Sequence, residues 1–200
     1  MTANVLLIAC GALARELVLL TRRNRWSHLK VQCLPPELHN TPQRIPGEVV
    51  AVIEANRAKF EHIFVAYADC GTGGMLDKAL EAYGIERLPG AHCYEFFTGA
   101  TSFARFCDEE PGTYYLTDFL VRHFDRLVIG ALGLDKHPQL KGEYFRNYRR
   151  VMYLAQSPSD ELRQLAKSHA DYLGLAYTEH FTGLDRVGTE LHEHVVQWQN

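Results

Sequence analysis

The sequence predicts an α/β fold: a single domain over residues 1–200 with one doubly wound, mainly parallel sheet and helices on both faces. Three observations lead there. Short, unbroken apolar runs at Val5–Ala9, Ile63–Tyr67 and Val151–Ala155 are what strands buried on both faces require. These runs alternate with stretches of helical period, the pattern of β-α-β units. Glycine and proline punctuate the joins, as at Cys10-Gly11, Pro35-Pro36, Gly71 to Gly74 and Pro111-Gly112.

In order, strand Val5–Ala9 closes at Cys10-Gly11, and Leu13, Leu17 and Leu20 give residues 12–22 a helical stripe. Residues 29–34 read as the next strand, stopped by Pro35-Pro36, and the loop after it presents His39 and Asn40. Pro46 opens a helix reaching about Phe60, with Val49, Val52 and Ile53 inward. The strand at Ile63–Tyr67 leads through Asp69-Cys70 and a glycine turn into a helix that stops at Gly84. His92 to Glu95 read as extended chain, which would point Cys93 and Glu95 to one side and His92 and Tyr94 to the other. Residues 101–107 and 114–124 read as helical, 127–132 as strand or buried helix, and 133–150 as a basic, aromatic surface helix. Strand Val151–Ala155, helix 157–172, strand 175–178 and helix 184–198 complete the chain.

Tyr94 to Gly99 (YEFFTG) echoes Thr178 to Gly183 (TEHFTG), and LPPELH at Leu34 echoes LPGAH at Leu88, so degenerate β-α-β repeats are an expectation.

With 200 residues, a net charge of −3 and 46% hydrophobic residues, the chain can bury a full core and carries no nucleic-acid footprint. No stretch approaches the roughly 20 apolar residues of a membrane span. The start, VLLIAC, imitates a lipoprotein signal, but no Lys or Arg precedes it and Arg15-Glu16 bring charge in soon after it. A cytoplasmic protein with free thiols is expected from its five cysteines, an odd number. Cys33 and Cys107 read as small buried hydrophobes.

Chemistry concentrates where strands end. Cys10, His39, Asp69, Cys70, His92, Cys93 and Glu95 all fall beside predicted strand ends, which parallel strands gather at one edge. Thiolates and imidazole suit Zn²⁺, and several thiolates suit an iron–sulfur cluster, so Cys10, His39, Cys70 and Cys93 form the candidate metal set. Asp69, Glu95 and Cys70 are the candidate catalytic residues. The bare N–H groups of Gly71, Thr72, Gly73 and Gly74, with Asn40 from the loop, are the candidate substrate-binding residues for an anion. A thiol beside a helix start has a lowered pKa, so Cys70 also reads as a nucleophile needing no metal. Tyr144, Arg146, Tyr148, Arg149 and Arg150 read first as a solvated face, and His192 and His194 as surface residues.

At these residues the chain resembles domain-of-unknown-function family 1638. The resemblance rests on Cys10-Gly11 with Glu16-Leu17, on Leu34-Pro35 with Leu38-His39-Asn40, on Tyr67 with DCGTGG at Asp69 to Gly74, and on HCYE at His92 to Glu95 with Gly99. It spans Val5 to about Gln156. It implies a bacterial or archaeal α/β protein and hints at one-carbon chemistry beside corrinoid methyltransferase systems; it implies no catalytic residue.

The leading expectation is a metal-thiolate enzyme, zinc or iron–sulfur, of transferase or lyase type, acting on a small anionic or methylated molecule. The alternatives are a metal-free cysteine nucleophile, and a metal or corrinoid carrier or chaperone that serves methyltransferase proteins without turnover.

Overall fold

The computed structural model describes residues 4–195 and 198, with Val195 described by its backbone alone. The chain divides into two compact units, one running up to Phe96 and resuming from Val187, the other Phe97–Arg186. The expected single sheet is instead two separate three-stranded parallel sheets.

In the first unit β1 (Val5–Cys10) lies between β2 (Leu29–Leu34) and β3 (His62–Ala66). Every residue of β1 is buried, which explains its unbroken apolar run. The register is Ala9 beside Cys33 on one flank and beside Ala66 on the other. Residues Glu86 to Leu88 extend this sheet beyond β3: Val65 donates to Glu86 O at 3.0 Å and Leu88 donates to Val65 O at 3.0 Å.

Between these strands run α1 (Ala14–Arg23) and α2 (Ile45–Asn56), followed after β3 by α3 (Met75–Glu81) and by α4 (Cys93–Thr98). Leu13, Leu17 and Leu20 are buried, as their spacing predicts, and so are Val49 and Ile53. From the end of the chain α9 (Asp185–Val195) adds Val187 and Leu191 to this core, and His194 stacks on Phe64 at 5.0 Å.

In the second unit the order is β4 (Thr113–Thr117), β5 (Arg150–Ala155), β6 (Ala176–Phe181). Its helices are α5 (Ala100–Glu109), α6 (Asp118–Arg122), α7 (Lys141–Phe145) and α8 (Asp160–Leu173). Leu116, Val121, Phe124, Val151, Tyr153, Leu162 and Ala166 make its core.

Residues 114–124, expected to be helical, begin as strand β4. The TYYLT segment is β-branched and aromatic and comes after a turn, which favours a pleated strand; only five residues then turn into α6. Residues 125–130 form a π-helical turn. The long surface helix expected over 133–150 is limited to a short turn at Pro138–Leu140 and α7, because Gly133 and Pro138 interrupt the stretch. The echo between Tyr94 to Gly99 and Thr178 to Gly183 has no structural counterpart: Tyr94 to Thr98 is helix and Thr178 to Phe181 is strand. Residues 196, 197, 199 and 200 of the expected last helix lie outside the described residues.

No described helix is long and apolar enough to cross a membrane.

Candidate functional site

In a sheet ordered β2-β1-β3 the strands that follow β1 are laid on its two opposite flanks, a reversal of strand order whose carboxyl end is where open α/β sheets bind ligands. Cys10 is the last residue of β1. Because Ala9 pairs with Ala66, Tyr67 comes level with Cys10 as the chain leaves β3. Past Ala68 the backbone is tied to a distant segment: Asp69 donates to Gly90 O at 3.1 Å and Cys70 to Ala91 O at 2.9 Å. Two residues beyond Ala91, Cys93 opens α4. Cys10, Cys70 and Cys93 are 4%, 5% and 7% exposed, and all are free thiols.

Of the three, Cys70 and Cys93 interact most directly. Their mutual hydrogen bond is the largest influence on each, and it acts in opposite directions. The Cys93 thiol, followed by the Cys93 and Ala68 amides, lowers the Cys70 pKa against the opposing effect of burial. Donation to Cys70, then burial, pushes the Cys93 thiol well up. Within the pair the negative charge is therefore favoured on Cys70 and the proton on Cys93. Cys10 feels Cys70 as a charge, and burial raises its thiol to about 11, offset by the Ala12 amide at 3.4 Å.

Tyr67 is 1% exposed; its hydroxyl lies against the Cys10 sulfur, a weak acceptor, and lacks a well-formed hydrogen bond. Burial, then the neighbouring Cys10 sulfur, raises its pKa, so it is a neutral phenol. Sequence reasoning did not name it as a site residue; the signals were a polar-tipped aromatic where β3 ends and its place among the residues of the family resemblance.

The glycine turn serves itself. Asp69 Oδ1 accepts from Thr72 Oγ1 at 2.7 Å and from the Gly74 amide at 2.8 Å, and Oδ2 accepts from the Gly73 amide at 3.0 Å. Of the expected anion cradle of Gly71, Thr72, Gly73 and Gly74, the Thr72 amide donates to Asp69 O at 3.0 Å, and the Asp69 carboxylate takes the Gly73 and Gly74 amides and the Thr72 hydroxyl. Those bonds, the Gly74 amide first, hold Asp69 down at about 2, so it is an acceptor at neutral pH and carries no proton there. Cys70 lies within this turn at φ +50, five residues before α3, and its thiol answers to Cys93 rather than to the start of α3.

Glu95 is likewise an anchor. Its Oε1 accepts from the amides of Ala91 at 2.8 Å and His92 at 3.2 Å, the reciprocal arm of a helix cap. His92 to Glu95 is a helix start, so the expected strand-like sidedness of Cys93 and Glu95 does not hold. A β-carbon at Gly90 would sit 2.8 Å from the Glu95 carboxylate. Arg87, bidentate on Asp77 at 2.7 and 2.8 Å, also grips the Leu88 carbonyl at 2.7 Å and steadies the approach to that turn.

His39 and Asn40 lie on an exposed 3₁₀ turn, Pro36–Asn40. Desolvation by surrounding chain, then His92, lowers the His39 pKa; its electrostatic neighbour is an imidazole. Among the described residues, no group of three or more His, Cys, Asp and Glu side chains is arranged to hold a metal ion. Cys33 is exposed at the edge strand β2, and Cys107 is half-buried with its sulfur 3.7 Å from Tyr115 Oη, so neither is the buried hydrophobe expected. Two surface clefts of this unit, about 460 and 420 Å³, are lined by residues such as Phe60, His62 and Tyr83, and Asp77, Leu80 and Arg87; neither includes a thiol.

The second unit has its own polar cluster at the carboxyl ends of β4 and β5. Asp118, 3% exposed, accepts from Tyr153 Oη at 2.7 Å, the Gln156 amide at 3.0 Å, and the Ser157 amide at 3.1 Å and hydroxyl. Its own amide donates to Gln156 Oε1 at 2.8 Å. With both carboxylate oxygens saturated, this cluster is a lock between strands.

No curated protein matches this sequence. The family model described as a protein of unknown function (DUF1638) matches residues 33–191, a span that holds His39, Cys70 and Cys93 and leaves Cys10 outside. On that match over most of its length, the chain belongs to the DUF1638 family.

Proposed function

We propose that the first unit is a thiol-dependent enzyme in which Cys70 is the nucleophile toward a small electrophilic molecule. One observation carries this reading: the Cys70 sulfur receives the Cys93 thiol and backbone amides, donors that stabilise a thiolate. The Tyr67 hydroxyl supports it, since a buried polar group without a well-formed hydrogen bond is stabilised by a ligand atom placed beside it. Peptide-resolved labelling with iodoacetamide across pH tests the assignment. Cys70 should modify ahead of Cys10 and Cys93 at neutral pH; labelling no faster than that of Cys10 would refute it.

A second reading keeps the metal-thiolate enzyme of transferase or lyase type, zinc or iron–sulfur. Its support is that Cys10, Cys70 and Cys93 share one electrostatic neighbourhood. These soft donors match such ions, although as placed they do not close a metal-holding group. In that reading the thiols are ligands, for catalysis or for a carrier serving corrinoid methyltransferase proteins. Elemental analysis of protein purified without chelator separates the readings, because sub-stoichiometric metal ends the second and leaves the first intact.

A further inference from the structure

We infer that Cys93 is the resolving thiol of a dithiol–disulfide couple with Cys70, and that the site reduces a small peroxide. This rests on the reading of Cys70 as the reactive thiolate and adds its partner and its substrate class. The placement is backbone-driven. The two amide-to-carbonyl bonds from Asp69 and Cys70 to Gly90 and Ala91 lay the segments side by side, and the Glu95 cap turns the chain so that Cys93 faces Cys70. The Cys70-to-Ala91 bond sets Cys93 two residues along from the segment paired with Cys70, and the two buried thiols are hydrogen-bonding neighbours, the side-by-side arrangement that a disulfide needs. A structural cysteine pair has no need of a reactive partner, whereas a nucleophile with a second sulfur against it forms a disulfide once oxidised.

A single turnover balances without an added cofactor, and an external low-molecular-weight thiol would return the disulfide to the dithiol by exchange, becoming oxidised itself. The Cys70 thiolate attacks one oxygen of hydrogen peroxide; an S–O bond forms, the O–O bond breaks, and the departing hydroxide takes a proton to become water. Cys70 is then a sulfenic acid, oxidised by two electrons. Cys93 gives up its proton and its sulfur attacks the Cys70 sulfur; an S–S bond forms, the S–O bond breaks, and the second oxygen leaves as water. Small size is demanded by burial, since the two thiols are 5% and 7% exposed.

The test is oxidation of the intact protein with one equivalent of hydrogen peroxide, or in a parallel arm with oxidised glutathione, followed by alkylation and peptide mass spectrometry. Peroxide should convert most of the protein to a species lighter by two hydrogens, with the peptides of Cys70 and Cys93 linked. In Cys93→Ser the reaction should stop at a Cys70 sulfenic acid that dimedone traps. Sulfenic acid accumulating in the unaltered protein while Cys93 remains alkylatable would overturn the resolving role, yet would leave the nucleophile reading standing. Faster disulfide formation with oxidised glutathione than with peroxide would overturn the substrate class. The unaltered protein suffices for these decisions, so a folding defect in Cys93→Ser does not blunt them.

Discussion

Cys70 donates its backbone N–H to the carbonyl of Ala91 at 2.9 Å, and this bond fixes how close the thiol of Cys70 comes to the first residue of α4. Replacing Cys93 by Ala removes a thiol donor to the Cys70 sulfur and leaves that backbone bond in place. A thiolate that loses a donor is harder to form. The pH midpoint for Cys70 alkylation should therefore move upward, with slower labelling at neutral pH and little change in circular dichroism.

Tyr67→Phe should run against the usual sign of core substitutions. The ring stays, and a buried hydroxyl without a well-formed hydrogen bond is removed. Relief of that desolvation cost should stabilise the protein by about 1 kcal/mol. Urea denaturation followed by the fluorescence of Trp26 and Trp198, both in the first unit, reads it. A marked loss of stability would show that the hydroxyl is satisfied.

Asp69→Ala strips three hydrogen-bond acceptances from the glycine turn and should cost about 1–3 kcal/mol at neutral pH. Acid should reveal the same interaction. The folded carboxyl is held at about 2 against an ordinary value of 3.8. Its contribution is complete above the unfolded value and is lost as pH falls through the folded one. The variant's stability should then fall less steeply than the parent's between roughly pH 4 and 2, as denaturation midpoints would show.

Asp118→Ala should damage the second unit selectively. It leaves Tyr153 Oη and the Gln156 and Ser157 amides without their acceptor in a buried place, a loss on the order of 3 kcal/mol or more. Hydrogen exchange should accelerate in β4 and β5 first, while β1 and β3 keep their protection.

The sequence makes β1, β3 and β5 legible because strands buried on both faces have one simple signature, an unbroken apolar run. Leu13, Leu17 and Leu20 are legible for the corresponding helical reason. Tyr114 to Thr117 was not, because four residues carry too little periodicity to separate strand from helix. Nor does any local pattern say that β3 and β4 belong to different sheets; that is decided by pairing between distant residues. At the site, the approach of Cys10 and Cys70 comes from parallel strands ending together. The roles of Asp69 and Glu95 were hidden, since an acid beside a glycine turn has the same spelling whether it meets a ligand or the turn's own amides.

Cys70 stands at φ +50, a left-handed backbone position that glycine occupies freely and a residue with a β-carbon reaches only at about 1–2 kcal/mol. Cys70→Gly should consequently melt above Cys70→Ala, although it deletes more of the side chain. The protein retains sulfur at a turn whose shape favours the smallest residue, a preference that stability alone does not account for and that a reactive thiol would.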